Sequence, residues 1–247
     1  MTKEKTTDKK EVEKPKKKFT KKAKPTVKAK KTFAYDKTKA YAFNEALELA
    51  KKFSKTKFDA SLEVHMKLGI DPRKGDQQIR SAVSLPHGTG KSIRVAAFVS
   101  PEHEDACRQA GADLVGGEDL IAKIKETEKT DFDVAVADPG MMKTLAKIAK
   151  ILGTRGLMPS PKNDTVNANP AKAVADLKKG KVSFKNDDTA NIHVAIGKLS
   201  FANEQLKDNF ETIIEAVKKA KPSSSKGSYI KNVVICSTMG PGVKVQL

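Results

Sequence analysis

The segment SLPHGTGKSIRV, residues 84–95, offers two architectures. As a nucleotide-gripping loop it would make the chain a phosphate-handling enzyme. As a crossing between two folded parts it would make the chain a carrier of one domain inside another. A phosphate loop needs G-x-x-x-x-G-K-[ST] between a strand and a helix, whose free N–H groups and dipole hold the anion. Leu85 stands where the first Gly belongs, and SIRVAAFVS after Gly90-Lys91 has the apolar run of a strand. With both the Gly and the helix missing, hydrolysis of a nucleotide through Lys91 is the reading set aside. The glycines suit a hinge, where backbone freedom is useful. Pro86, Gly88 and Gly90 mark the outward crossing and Gly180 the return.

Either side of this segment the hydrophobic pattern changes. Downstream, IRVAAFV and DFDVAVA are short apolar runs, as in strands covered on both sides, and ADLVG is a third strand. Between them PEHEDACRQAGA, with Pro101 in its first turn, and GEDLIAKIKE read as helices. PGMMKTLAKIAKILG reads as one basic amphipathic helix ended by Gly153, with Met141 and Met142 in the core. Strands alternating with helices predict a parallel layer covered on both faces.

Upstream, TKAYAFNEALELAKKFS puts Ala42, Ala46, Leu47, Ala50 and Phe53 on one helical face. SLEVHMKLG alternates Leu62, Val64, Met66 and Leu68 with an outer row of Glu63, His65 and Lys67. After the DPRKGD turn, QQIRSAVSLP reads as a second strand, giving a hairpin-like pair. Near the other end KVSFKN and TANIHVAIG are strands, and NEQLKDNFETIIEAVKKAKP is a long helix stopped at Pro222. SYIKNVVICSTMGPGVKVQL closes the chain as a strand, a Gly-Pro turn and a short extension. The fold class expected is an α+β terminal domain built from both chain ends (33–88 and 181–247), with an inserted α/β Rossmann-like three-layer domain (89–180).

Charge follows the same division. The whole chain is formally +18, which points to a polyanionic partner. Residues 1–31 hold 14 Lys against four acids; residues 1–32 are expected to be a disordered basic tail, too poor in apolar residues to offset its ordering entropy. It serves either as a solubilising tail or as an arm that tracks phosphates. Its acids and lack of Arg argue against an organelle transit peptide. Residues 89–180 carry 14 basic and 13 acidic side chains, whereas the flanking folded parts carry 20 and 13. The terminal domain is therefore the better candidate to hold a polyanion.

No run of about 18 apolar residues suggests a membrane span. Cys107 and Cys236 are expected as reduced thiols. Neither has a Cys or His at ligand spacing, and His87, His103 and His193 show none, so neither a metal site nor a cofactor is expected.

Three long motifs, KFDASLEVHMKLGIDPRKGDQQIRSAVSLPHGTGK (57–91), LGTRGLMPSPKNDTV (152–166) and STMGPGV (237–243), resemble the bacterial form of the L-one family of large-subunit ribosomal proteins, the family of the mobile stalk. The resemblance runs from about Phe33 to Val245. It implies a non-enzymatic, cytoplasmic, ribosome-bound RNA-binding protein with two domains. The partners implied are large-subunit rRNA at the stalk, exit-site tRNA whose deacylated form is released, and the protein's own mRNA leader, whose translation it represses. Carried over motif by motif, the RNA contacts implied are Lys57, Phe58, Ser61, His65, Lys67, Ser237, Thr238, Met239 and Gly240. Ala60 departs from the family, where an acid is common, and Thr154 stands where Pro is usual.

The residue types suit that task. Hydroxyls of Ser61 and Thr238 can serve phosphate or 2′-hydroxyl, and Gly240 lets a sugar-phosphate backbone approach. Met239 offers a soft apolar surface. Lys57, Lys67 and Lys231 can neutralise phosphates. Phe58 can stack on a base, although residue type alone favours a place in the core. TMGPG can equally be only a turn, and His65 only a surface strand residue.

Overall fold

The structure, a computed structural model, describes residues 35–36, 38–225 and 227–246; the basic tail lies outside them. Helix α1 (Phe43–Phe53) precedes β1 (Ser61–Leu68) and β2 (Arg80–Ser84). Then follow β3 (Val95–Phe98), α2 (Pro101–Gln109), β4 (Leu114–Gly116), α3 (Glu118–Thr127) and β5 (Val134–Ala137). Helices α4 (Met142–Leu145), α5 (Ala149–Thr154) and α6 (Pro170–Lys178) lead to β6 (Lys181–Lys185) and β7 (Asn191–Lys198). The chain ends with α7 (Asn203–Lys219), β8 (Ile230–Ser237) and β9 (Val243–Val245).

Both chain ends build one antiparallel sheet in the order β7-β1-β8-β9. Leu62, Val64, Met66 and Leu68 of β1 are fully buried, as the alternation predicts. They meet α1 through Ala46, Leu47 and Ala50, and α7 through Leu206, Phe210, Ile213 and Val217. Each large apolar side chain so enclosed contributes about 1.5–3 kcal/mol. α1 begins at Phe43, so Ala42 is exposed at its N-cap rather than on the buried face; Phe43 stacks on Phe210 at 4.5 Å instead. With both helices on one side, the other side of the sheet is left open.

The middle of the chain makes a parallel sheet, order β4-β3-β5. All four residues of β3 are buried, because helices lie on both its faces. Ala96 and Phe98 pack with Ile121, Leu145, Ile148 and Leu152 on one side. Val95, Ala97 and Val99 pack with Cys107, Ala173, Val174 and Leu177 on the other.

Two expectations are corrected here. β2 forms no hairpin with β1; it pairs antiparallel with β6 in a separate two-stranded sheet, Ser84 opposite Lys181. Alternation fixes which face is buried but not which strand is the neighbour. Residues 139–154 are not one helix. A 3₁₀ turn at Pro139–Met141, α4, a 3₁₀ turn at Ala146–Ile148 and α5 follow one another. Leu145, Ile148 and Leu152 keep a shared buried face through these breaks. Gly153 lies inside α5, and Gly156, with φ of 70°, is the left-handed residue beyond it.

The segment 84–95 crosses between the sheets as a turn followed by extended chain into β3, with no helix after Lys91. Leu85, in the first-Gly position of a phosphate loop, is buried. Gly88, Gly90 and Gly180 all have positive φ. The outgoing and returning chains touch: a Cβ on Gly180 would lie 2.4 Å from the Cα of Gly88. No spacing of residues announces the clamp that holds this crossing. Asn209 of α7 is fully buried; its Oδ1 accepts from His87 N at 3.2 Å, and its Nδ2 donates to the carbonyls of Gly88 (3.0 Å) and Ile196 (2.8 Å).

Candidate nucleic-acid interface

Antiparallel pairing of β1 with β8 sets Leu62 opposite Ser237, so the chain entering β1 and the chain leaving β8 lie at the same end of the sheet. Thr238 N donates to Ser61 O at 3.0 Å, Ser61 N donates to Thr238 Oγ1 at 3.2 Å, and that hydroxyl donates to Ser61 O. Beyond this junction the turn tightens with Gly240 N donating to Ser237 O at 2.7 Å. Tyr35 Oη, donating to Gly242 O at 2.8 Å, braces its far side.

From this junction two side chains project. Phe58 is 58% exposed and Met239 89% exposed, and they are the exposed large hydrophobic residues among those described. Met239 also has φ of 63°, a left-handed backbone that costs a non-glycine residue about 1–2 kcal/mol. A strained, solvent-facing apolar side chain adds nothing evident to stability. The residue-type preference that would place Phe58 in the core is corrected: it lies exposed in the irregular segment between α1 and β1.

Other sequence-derived residues fall differently. Lys57 is exposed beside Phe58. Ser61 is 7% exposed and takes part mainly through its backbone. Ser237 is corrected outright: it is 1% exposed, and its hydroxyl donates to Ala50 O of α1, because its place in β8 points to the helix side. Thr238 spends its hydroxyl holding the junction. Gly240 has an internal reason to be glycine, since a Cβ there would lie 2.2 Å from Ser237 Oγ and 3.1 Å from Ser237 O. Arg155, kept in the second motif, is used internally, donating to Glu128 O at 3.0 Å.

Along the open face run Glu63, His65 and Lys67. Lys67 Nζ donates to the carbonyl of Thr189, which fixes its ammonium at the edge of the sheet. His65 is pushed below the ordinary histidine value by burial and by the neighbouring His193, which favours its neutral ring. Its Nδ1 is 2.8 Å from His193 Nδ1, and its Nε2 is 3.0 Å from Cys236 Sγ and 3.9 Å from Glu63 Oε2. Burial and Glu63 push Cys236 up, keeping it a thiol. At the far edge Asp187 accepts from Asn191 N and Thr189 N; these bonds overcome its burial and hold its carboxyl well below the usual range. Lys198 was missed by sequence reasoning: it lies opposite Ser61 on β7 and donates to Asp59 O at 3.2 Å, close to Phe58. Its alternating place on a strand beside the interface was the available signal.

The end of the sheet thus offers two apolar projections, nearby lysines and a rigid backbone junction, which can stack on bases and ribose while meeting phosphates. Among the described residues no helix is long and apolar enough to cross a membrane.

The sequence profile of the Ribosomal protein L1p/L10e family matches residues 50–241. The chain is 50% identical over 202 residues, 82% of its length, to the large ribosomal subunit protein uL1 of Thermosipho africanus (strain TCF52B), covering 87% of that relative.

Proposed function

Because the chain belongs to the Ribosomal protein L1p/L10e family, a structural and non-enzymatic component of the large ribosomal subunit in the cytoplasm, we propose that the Phe58–Met239 end of its four-stranded sheet is the surface that grips rRNA. The observation carrying this reading is that the two exposed large apolar residues flank one hydrogen-bonded junction made from opposite ends of the sequence. Lys57 beside them supplies a salt-dependent attraction to phosphate. The RNA segment is the stalk near the tRNA exit site, and the protein contributes there to release of deacylated tRNA. The same surface takes the protein's own mRNA leader and represses its translation, since a similarly folded transcript presents the same phosphates and ribose faces.

The domain reading belongs to this proposal too. Residues 33–88 with 181–247 hold the RNA, and 89–180 form an inserted domain that swings about Pro86, Gly88, Gly90 and Gly180. Apolar clusters drawn separately from these stretches support it. Interdomain distances that stay in one narrow population with and without RNA contradict it.

The test of the interface is binding of a folded stalk rRNA fragment over a salt series. Affinity should fall steeply with salt and fall further, by roughly 10–100-fold each, in Phe58→Ala and Met239→Ala. Salt-independent binding, or variants that bind as the parent does, refutes it. A reporter carrying the protein's own leader, unmoved by overexpression, removes the repressor role alone.

A further inference from the structure

The open face of the sheet carries a second arrangement, away from the Phe58–Met239 junction. Glu63 and His65 are two residues apart on β1 and point to the same side. The register sets Cys236 of β8 directly opposite Glu63, and His193 of β7 directly opposite His65. Opposed residues on one face hold their Cβ atoms about 4.5–5.5 Å apart. The ladder by itself therefore gathers four chemically active side chains from three strands, although 171 residues separate His65 from Cys236 in the sequence.

The side chains converge further. A carboxylate oxygen of Glu63, a ring nitrogen of His65 and Sγ of Cys236 all lie within 4.8 Å of one another. A chain of contacts behind His65 decides which nitrogen is free. Asp187 is a carboxylate at neutral pH and only accepts. Facing its Oδ2 at 3.5 Å, His193 Nε2 carries the ring hydrogen and leaves Nδ1 as the acceptor. His65 then carries its hydrogen on Nδ1, 2.8 Å away, and turns the lone pair of Nε2 toward Cys236 and Glu63.

We propose that Glu63, His65 and Cys236 form a binding site for a divalent ion of the zinc class, with His193 and Asp187 as positioning residues that fix the His65 ring. Imidazole, thiolate and carboxylate are the donor types zinc takes, and three protein donors leave a fourth position to solvent. A ligating histidine commonly donates its second N–H to an oriented partner, which is the part His193 and Asp187 play. A tetrahedral ion holds nitrogen and sulfur about 3.6 Å apart and nitrogen and oxygen about 3.4 Å apart. From the present 3.0 and 3.9 Å, Cys236 moves out and Glu63 moves in, each by about half an ångström on that geometry. On entry the Cys236 S–H bond breaks, the sulfur–metal bond forms, and the proton passes to solvent. With thiolate and carboxylate both bound to a divalent ion, the site passes from the single negative charge of Glu63 to net neutrality.

The test is titration of the full-length, RNA-free protein with Co²⁺, followed by displacement with Zn²⁺. One equivalent should give the thiolate-to-cobalt charge-transfer absorption of a tetrahedral site, lost on adding zinc. Cys236→Ser and His65→Gln should each abolish it, with circular dichroism confirming the fold, while Cys107→Ser leaves it intact. His193→Ala should weaken cobalt binding 10–100-fold, and His193→Gln, whose carbonyl can accept from His65 Nδ1, should restore it. No charge-transfer band at one equivalent, or a band that survives Cys236→Ser, overturns the proposal. Measured without RNA, the outcome is independent of the interface proposed above.

Discussion

The two main sheets of this molecule treat their faces in opposite ways. The parallel sheet of β3, β4 and β5 has helices on both sides, and β3 is buried along its whole length. The antiparallel sheet of β1, β7, β8 and β9 has α1 and α7 on one side only, and the reverse side carries Glu63, His65, Cys236 and His193. Both are stable because each closes at least one apolar face, but only the second keeps a face for chemistry. The charge is divided likewise: nearly balanced in 89–180, markedly basic in the flanking folded parts. An enclosed sheet can accept only residues that pack, whereas a half-open one can hold residues that stability does not require.

The sharpest test of that contrast sets one phenylalanine against another. Phe98 is fully buried in β3, edge-on to Phe132 at 6.0 Å. Phe98→Ala should cost about 3–5 kcal/mol in urea unfolding. Phe58→Ala should change stability by less than about 0.5 kcal/mol while weakening RNA binding. A costly Phe58→Ala breaks the comparison.

Next come the devices holding the crossing between the sheets. Gly180 has φ of 109° and no room for a Cβ, so Gly180→Ala should destabilise by roughly 1–3 kcal/mol from backbone strain, before the clash with Gly88 is counted. Asn209→Ala leaves the part-buried N–H of His87 and carbonyl of Gly88 and the buried carbonyl of Ile196 without their partner, and should cost about 1–3 kcal/mol. Equilibrium denaturation measures both.

Met239 sharpens the contrast through opposite signs. Met239→Gly relieves the left-handed strain and should raise stability by about 1 kcal/mol while lowering RNA affinity. A fall in both quantities would mean that the side chain supports the fold.

The smallest effect is acid dependence. Asp187 has a depressed folded-state value, so its stabilisation is present above the unfolded carboxylate value near 4 and is lost as pH falls below it. Thermal midpoints of Asp187→Asn should therefore decline less than those of the parent between about pH 5 and 3. Equal declines rule this out.

Much of the fold was legible in the residues. The alternation of Leu62, Val64, Met66 and Leu68, the runs VAAF and VAVA, and the spacing of Leu206, Phe210, Ile213 and Val217 each announce an element and its buried side. The missing Gly at 85 and the strand after Lys91 removed the nucleotide reading. Less of the candidate site could be read. Of the residues the motifs pointed to, Phe58 lies exposed but Ser237 turned inward; Lys198 offered only its alternating place on a strand, and Asn209 gave no signal.

Local periodicity determined this chain's helices, strands and buried stripes, because a side chain's direction follows from its own backbone. Which strands became neighbours was settled only in three dimensions. β2 chose β6, and β1 sat between β7 and β8, because pairing depends on enclosing apolar surface shared by distant segments. From that choice alone come both the joining of Ser61 to Thr238 and the meeting of Glu63, His65, His193 and Cys236, which no spacing in the sequence encodes.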